Sequence, residues 1–252
     1  MIVLKERNAD SRQRKAFAFK NLMLFANLRD EDVVLFADAS QINNYKKGKF
    51  LYLEEEPADS FYVICSGWLK LFHTTEEGEE VNLAVLTANS ITGENAIFEH
   101  GSYTSSAQIV EDAQILSVPI SLLKEQLRVN NRMAFNMLTC MVQYQRLHAL
   151  QQEQYFLYSA PQRVGCFLLG LCPTVEQKDG IILNLPYDKT LIASILGMKG
   201  ATFSRALNIL REEAGLHING TRVTIDSIAS LFKFVGSCYP HNHQLRKDFI
   251  SI

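Results

Sequence analysis

Long apolar runs are missing from this chain. The longest, Val164–Cys172, has nine residues, under half of the ~20 needed to cross a bilayer as a helix. The N-terminus, Met1-Ile-Val-Leu-Lys-Glu-Arg-Asn, holds no apolar core of signal-peptide length. Both absences lead to the expectation of a soluble protein that stays in the cytoplasm. Cysteine is sparse. Cys65, Cys140, Cys166, Cys172 and Cys238 are odd in number and none stands in Cys-x-x-Cys spacing, so they read as free thiols of a reducing compartment. An excess of one charge is missing too: 25 Lys and Arg face 27 Asp and Glu, a net −2. The balance is uneven, however. From Ile181 onward eight Lys/Arg stand against five Asp/Glu, a net +3 that leaves −5 for the rest. That is the sign a DNA-binding C-terminal region needs. No nucleophile–base pair and no Gly-rich phosphate loop stands out, so the chain does not read as an enzyme.

What is present is a chain of 252 residues, 47% hydrophobic, enough for a sizeable core in one large or two small domains. Residues 1–24 are polar and basic at first and read as a loose extension, with short helices ending near Ala39. Residues 40–118 alternate β-rich runs with turn signals: Phe50–Leu53, Phe61–Cys65, Trp68–Phe72, Val81–Leu86, Ala107–Val110 and Ala113–Val118, with Ser66-Gly67 read as a turn. Many short strands at that spacing mean a sandwich or barrel. Between Ile120 and Ser159 there is no Gly or Pro. Met133, Met137, Cys140, Tyr144 and Leu147 recur at alternating spacings of four and three, and Gln151, Gln154 and Tyr158 continue the stripe. The pattern suits a coiled-coil dimer seam; an amphipathic helix packed on its own domain satisfies it as well.

The most informative stretch is 186–225. Pro186-Tyr-Asp188 opens a helix over Lys189–Leu196, and Gly197 stops it as a left-handed cap. A second helix runs from Ala201 to Arg211 and ends before Gly215. Ile192, Ala193, Ile195 and Leu196 can face Phe203, Ala206, Leu207 and Leu210. Two short helices joined by a Gly-containing turn form a helix-turn-helix. Asn219-Gly220, between β-rich flanks, reads as a type I′ hairpin. A wing directly after a helix-turn-helix makes a winged helix.

These features resemble the CRP/FNR superfamily of bacterial regulators, over about residues 25–232. In the β region the likeness rests on Asp59–Gly67, Glu77-Gly78 and Gly93-Glu94-Asn-Ala-Ile-Phe98. In the C-terminal region it rests on Leu185–Ala193, Leu196-Gly-Met198 and Thr202-Phe-Ser-Arg205. The resemblance implies an α+β chain. A cyclic-nucleotide-binding-type β-roll would span 25–120, a dimerisation helix 121–158 and a winged-helix domain 159–234, followed by a tail. It implies a homodimer on palindromic double-stranded DNA, with RNA polymerase as a further partner. Lys199, Thr202, Ser204 and Arg205 would meet DNA, with Arg222 on phosphate, and Gly93, Glu94, Thr104 and Ser105 would meet an effector. A sensor or scaffold using the same roll without DNA regulation is the alternative, which the winged helix opposes.

Two departures stand out. Family members that bind cyclic AMP carry an Arg shortly after Gly-Glu, and Gly101–Ala107 contains none; a buried phosphate without a cation is expensive. Gly200-Ala201 stands where many relatives have a residue followed by a Glu that accepts from cytosine. Iron–sulfur relatives cluster cysteines near the N-terminus, whereas residues 1–64 have none. The Leu-Pro-Tyr-Asp-Lys and Thr-Phe-Ser-Arg segments are most similar to the nitric-oxide-responsive nitrate respiration branch, some of which uses haem. His73, His100 and His148 are the haem candidates, each also readable as an ordinary surface His, and Cys238–His243 reads as a tail rather than a metal site.

Overall fold

The computed structural model describes residues 2–172, 180–185 and 189–236. Clustering of the backbone gives two compact units, Met1–Val81 with Leu86–Val142, and Asn82–Val85 with Gln143–Ile252. No helix among the described residues is long and apolar enough to cross a membrane.

The first unit begins with helix α1 (Ile2–Lys20) and α2 (Asp30–Ala39). The expected loose extension is thus mostly helical: residues 1–20 contain no Gly or Pro, and Phe19 at the helix end is fully buried. Its ring meets Phe25 at 4.8 Å and Phe36 at 6.0 Å, and Phe36 meets Phe61 of the sheet at 6.3 Å. Burying several aromatic rings together stabilises such a helix more than propensity alone can.

The strands are β1 (Gln41–Tyr45), β2 (Phe50–Tyr52), β3 (Ser60–Thr74), β4 (Glu80–Leu86), β5 (Ile91–Thr92) and β6 (Ser106–Pro119). They lie in the order β1-β6-β3-β4, with β2 also on β6 and β5 on β3. The sequence suggests four short strands where the structure has two long ones, β3 and β6, paired antiparallel from Ser60↔Pro119 to Phe72↔Ser106. Ser66-Gly67 is a bulge and not a turn, since the register shifts on either side of it while the ladder continues. Gly67 is required there. At φ 88, a Cβ would stand 2.5 Å from both the Ala113 Cα and the Asp112 carbonyl oxygen.

Helix α3 (Ile120–Val129) is followed by α4 (Asn131–Leu157). The single helix expected over 121–158 is therefore broken at Asn130, which is extended at φ −108 and ψ 96. Its side-chain carbonyl accepts from the Met133 amide at 3.1 Å, so Asn130 caps α4 instead of continuing α3. Asn136 then ties α4 to the N-terminal segment, donating to the carbonyls of Leu24 and Ala26 at 3.0 and 2.8 Å. Met133, Met137, Cys140 and Leu147 are all buried within the chain, at 0–7% exposure. The stripe expected to form a dimer seam is consequently spent inside the protomer, with Tyr144 beside it half-buried. A second stripe is open instead: Phe135, Leu138, Val142 and Phe156 are 62–88% exposed.

The second unit contains α5 (Ala160–Leu171), β7 (Ile181–Asn184), α6 (Lys189–Ile195), α7 (Gly200–Glu213), β8 (Leu216–Asn219), β9 (Arg222–Ile225) and α8 (Ile228–Val235). Pro161 lies in the first turn of α5, where its missing N–H costs nothing. Gln162 Oε1 accepts from the Ser159 amide at 3.0 Å and its hydroxyl at 2.9 Å, closing that helix end. β7, β9 and β8 form an antiparallel sheet. One apolar cluster joins Val164, Leu168, Leu183, Leu210, Val223 and Leu231.

Candidate nucleic-acid interface

Why the chain turns between α6 and α7 is visible in its hydrogen bonds. Gly197 takes the left-handed conformation, φ 62. Its amide donates to Ser194 at 3.0 Å, and the Met198 amide donates back to Ala193 at 2.9 Å. This is the Schellman arrangement, which satisfies the last carbonyls of α6. The turn sets α7 against α6, and Ile192, Ala193 and Leu196 share a buried cluster with Phe203, Ala206, Leu207 and Leu210. These are the facing residues expected from sequence apart from Ile195, which is buried but is not a member of that cluster. Pro186–Asp188, read there as the helix opening, lie outside the described residues.

With Phe203, Ala206 and Leu207 turned inward, the helical period leaves Ala201, Ser204, Arg205 and Asn208 on the exposed face. Lys199, at the N-cap position of α7, is exposed and Thr202 is half-exposed. The structure thus brings Lys199, Thr202, Ser204 and Arg205 to the first turns of one helix. Gly200 is not demanded by packing: a Cβ there would meet only the Thr190 methyl, at 3.7 Å, an ordinary contact.

The wing follows. Asn219↔Arg222 is the last pair of β8 and β9, so the two-residue loop is Gly220-Thr221. Gly220 has φ 61 and Thr221 is not among the positive-φ residues. That is the II′ arrangement, with glycine first in the loop, and corrects the I′ turn expected with Asn219-Gly220 at its centre. Arg222 is exposed, and with Arg211, His217, Asn219 and Thr224 it lines a cleft of about 360 Å³. His217 is held by Asp226 at 2.8 Å.

In the β-roll, Gly93 and Glu94 sit between β5 and β6. Gly93 has φ 83, and a Cβ would be 3.0 Å from the Tyr103 ring; backbone conformation and packing both ask for glycine. Tyr103 stacks on Tyr52 with ring centroids 3.9 Å apart and donates to the Ser60 carbonyl at 2.7 Å. Tyr52 in turn shares a hydrogen bond with Thr92. Thr104 accepts from Asn95 at 2.7 Å, and Ser105 is buried. Of the four residues expected at the effector site, Gly93 lies directly against the tyrosine stack, and Thr104 and Ser105 follow Tyr103 in sequence. No Lys or Arg occurs from Gly93 to Leu123.

Glu94 Oε2 is buried without a hydrogen-bond partner among the described residues. Burial pushes its carboxyl above the ordinary carboxylate range, and a bond from its own backbone amide offsets part of this. A raised folded value favours the neutral acid in the folded state. The stability this confers is fully present below the unfolded value and is lost as pH rises through the folded one. Glu94→Gln, which cannot ionise, should therefore gain on the wild type as pH rises. The difference in melting temperature between variant and wild type should be smallest at pH 4 and a few degrees more favourable at pH 8. A scanning-calorimetry difference that stays flat with pH would show the carboxyl ionised and solvated.

The three haem candidates all lie at the surface. His73 Nδ1 is 2.7 Å from Glu54 Oε1 with its side chain 43% exposed, while His100 and His148 are exposed. Among the described residues no group of three or more His, Cys, Asp or Glu could hold a metal ion. Cys238–His243 lie outside them. Burial pushes the Cys65 thiol up and the Cys172 thiol up to about 11, so neither presents a ready thiolate.

An antiparallel roll, a long helix and a winged helix-turn-helix define the class of DNA-binding regulators with an N-terminal sensor fold. Comparison with known proteins agrees. The cyclic nucleotide-binding domain family matches residues 42–130, and the Crp-like helix-turn-helix domain family matches residues 162–234. The Global nitrogen regulator of Synechococcus elongatus is 28% identical over 193 residues, covering 73% of this chain and 85% of that protein. The Cyclic AMP receptor protein of Thermus thermophilus is 26% identical over 212 residues, covering 84% and 96%. The crystal structure of a cyclic-nucleotide-binding candidate from Ruegeria pomeroyi has TM-score 0.72 and 28% identity, covering 89% and 98%. The chain belongs to the CRP/FNR family of transcriptional regulators.

Proposed function

We propose that this protein is a cytoplasmic, sequence-specific DNA-binding regulator that works as a two-fold dimer under control of its β-roll. The observation that carries the reading is the capped turn at Gly197. It presents Lys199, Thr202, Ser204 and Arg205 together at the start of an exposed helix. A helix presented in this way enters a major groove, and two of them, about one DNA turn (~34 Å) apart, read a palindrome. Arg222 and the cleft beside it hold a backbone phosphate, which fixes register without reading sequence. RNA polymerase is the further partner of a regulator so placed. The relatives named above are regulators and a receptor, and no enzymatic role is proposed.

The second copy docks on the open stripe of α4. Phe135, Leu138 and Val142 follow one another at spacings of three and four, continued by Gln145, Ala149, Gln152 and Phe156. Such a stripe meets its own copy across a two-fold axis.

The effector is not cyclic AMP on this reading. The tyrosine stack packs over Gly93, and nearby the Glu94 Oε2 atom is buried without a hydrogen-bond partner among the described residues. An anionic cyclic phosphate would have to enter beside them without a cation. Selection from a random DNA pool tests both parts. It should enrich a palindrome bound with nanomolar affinity, and millimolar cyclic AMP should leave that affinity unchanged. Failure to enrich any sequence would sink the regulator reading. Micromolar cyclic AMP binding by calorimetry would sink the effector reading.

A further inference from the structure

The last turns of α4 carry a contact that the DNA-reading face does not use. The Tyr155 hydroxyl donates to the carbonyl of Ile195, the last residue of α6, at 2.6 Å. A helix-terminal carbonyl has no partner within its own helix, so this bond supplies one from outside. The ring of the same tyrosine lies against Gly197. A Cβ on Gly197 would be 3.0 Å from Tyr155 Cε1 and 3.3 Å from Cδ1. The Arg163 guanidinium of α5 stands 5.4 Å from the centroid of the same ring, within cation–π range. Arg163 Nε is buried and makes no hydrogen bond among the described residues, so the ring is the group it faces. Burial raises the Tyr155 phenol above its ordinary value.

Gly197 thus answers two demands. It supplies the left-handed cap that ends α6, and it leaves room for an aromatic ring against the turn. The amides that make the cap, those of Gly197 and Met198, sit directly before the DNA-reading residues, and Lys199 follows Met198 in sequence.

We propose that Tyr155 is a positioning residue for DNA recognition: its hydroxyl and ring clasp the turn between α6 and α7 to the end of α4, so that the orientation of α7 follows that of α4. The proposal rests on the DNA-binding reading above and adds to it the side chain that sets the reading helix. Changes along α4 then reach Lys199–Arg205 through the Tyr155 clasp, without any new contact to DNA.

The test uses the full-length protein with Tyr155→Phe, which keeps the ring and loses the hydroxyl, and Tyr155→Leu, which loses both. Two measurements are made. Amide hydrogen exchange at Gly197 and Met198 needs no DNA. It should speed up about tenfold in Tyr155→Phe, the scale of one lost hydrogen bond, and further in Tyr155→Leu, while the amides of Phe203–Leu210 stay as protected as in the wild type. Affinity for the selected palindrome should fall about tenfold in Tyr155→Phe, with affinity for random-sequence DNA unchanged, because phosphate contacts tolerate a tilt that base contacts do not. Unchanged exchange at Gly197 and Met198 would overturn the clasp whatever the DNA result. Equal losses on palindromic and random DNA would overturn the positioning role and leave Tyr155 a plain stabilising residue. A wild-type protein that binds no DNA sequence but shows the accelerated exchange in Tyr155→Phe would overturn the regulator reading, and the positioning role with it, while the clasp itself stood.

Discussion

Arg205→Ala should weaken binding to the specific site by roughly tenfold to a hundredfold per half-site, and should flatten the preference for one guanine in each. The expectation follows from placement. Arg205 is exposed, lies in the second turn of α7, and makes no hydrogen bond or ion pair among the described residues. Its guanidinium is free to bond O6 and N7 of guanine together, a contact worth about 1–3 kcal/mol in discrimination. If Ala201 stands where relatives carry a base-reading glutamate, Arg205 and Ser204 would carry more of the reading and the consensus should be loose. A phosphate contact gives a different result. It would weaken every sequence alike and reduce the salt slope by about one charge per half-site. Binding to the selected site and to guanine-substituted sites, at two salt concentrations, separates the two. Equal loss on every sequence would sink the base-reading role.

The parts of the molecule that could be read from sequence are those whose causes are local. Gly197 signals a left-handed cap whatever surrounds it. The inward residues of α6 and α7 follow from helical period alone, and Asn219-Gly220 marks a hairpin even though the loop itself is shifted by one residue. Non-local causes left weaker marks. Gly67 has the composition of a turn, and only its approach to Ala113 across the sheet makes it a bulge. β1 is polar, Gln41-Ile-Asn-Asn-Tyr45, and becomes a strand because β6 offers it five residues of pairing, a tertiary override of propensity. Tyr155 was invisible for the same reason, since its partner is a backbone carbonyl 40 residues away.

Helix α4 shows the limit of periodicity most clearly. It carries two apolar stripes at three-and-four spacing, one through Met133, Met137, Cys140 and Leu147 and one through Phe135, Leu138, Val142, Ala149 and Phe156. Both satisfy a coiled-coil pattern. Period tells that a face is apolar, and says nothing of which face its own chain takes. Asn136 decides it by fastening one side of the helix to Leu24 and Ala26, which assigns the other side to solvent or to a partner.

Leu138→Glu combined with Val142→Glu should abolish the dimer at micromolar concentration, weakening association by about two orders of magnitude or more, and should abolish DNA binding with it. Both side chains are 62% exposed in the protomer, so carboxylates there cost the isolated chain little. In a two-fold seam the same substitutions bring four carboxylates into apolar surroundings without cations. Unpaired buried charge costs several kcal/mol per group, and each 1.4 kcal/mol is a factor of ten in the dissociation constant. The buried stripe provides the contrast. Met137 is 5% exposed, and Met137→Glu should lower the melting temperature sharply, because the charge enters the protomer's own core. Sedimentation equilibrium and circular dichroism read the two cases apart. The surface pair gives a folded monomer, while the core substitution gives a destabilised chain. A folded dimer of unchanged affinity in Leu138→Glu with Val142→Glu would place the seam away from this face of α4, and the open stripe would then need another occupant.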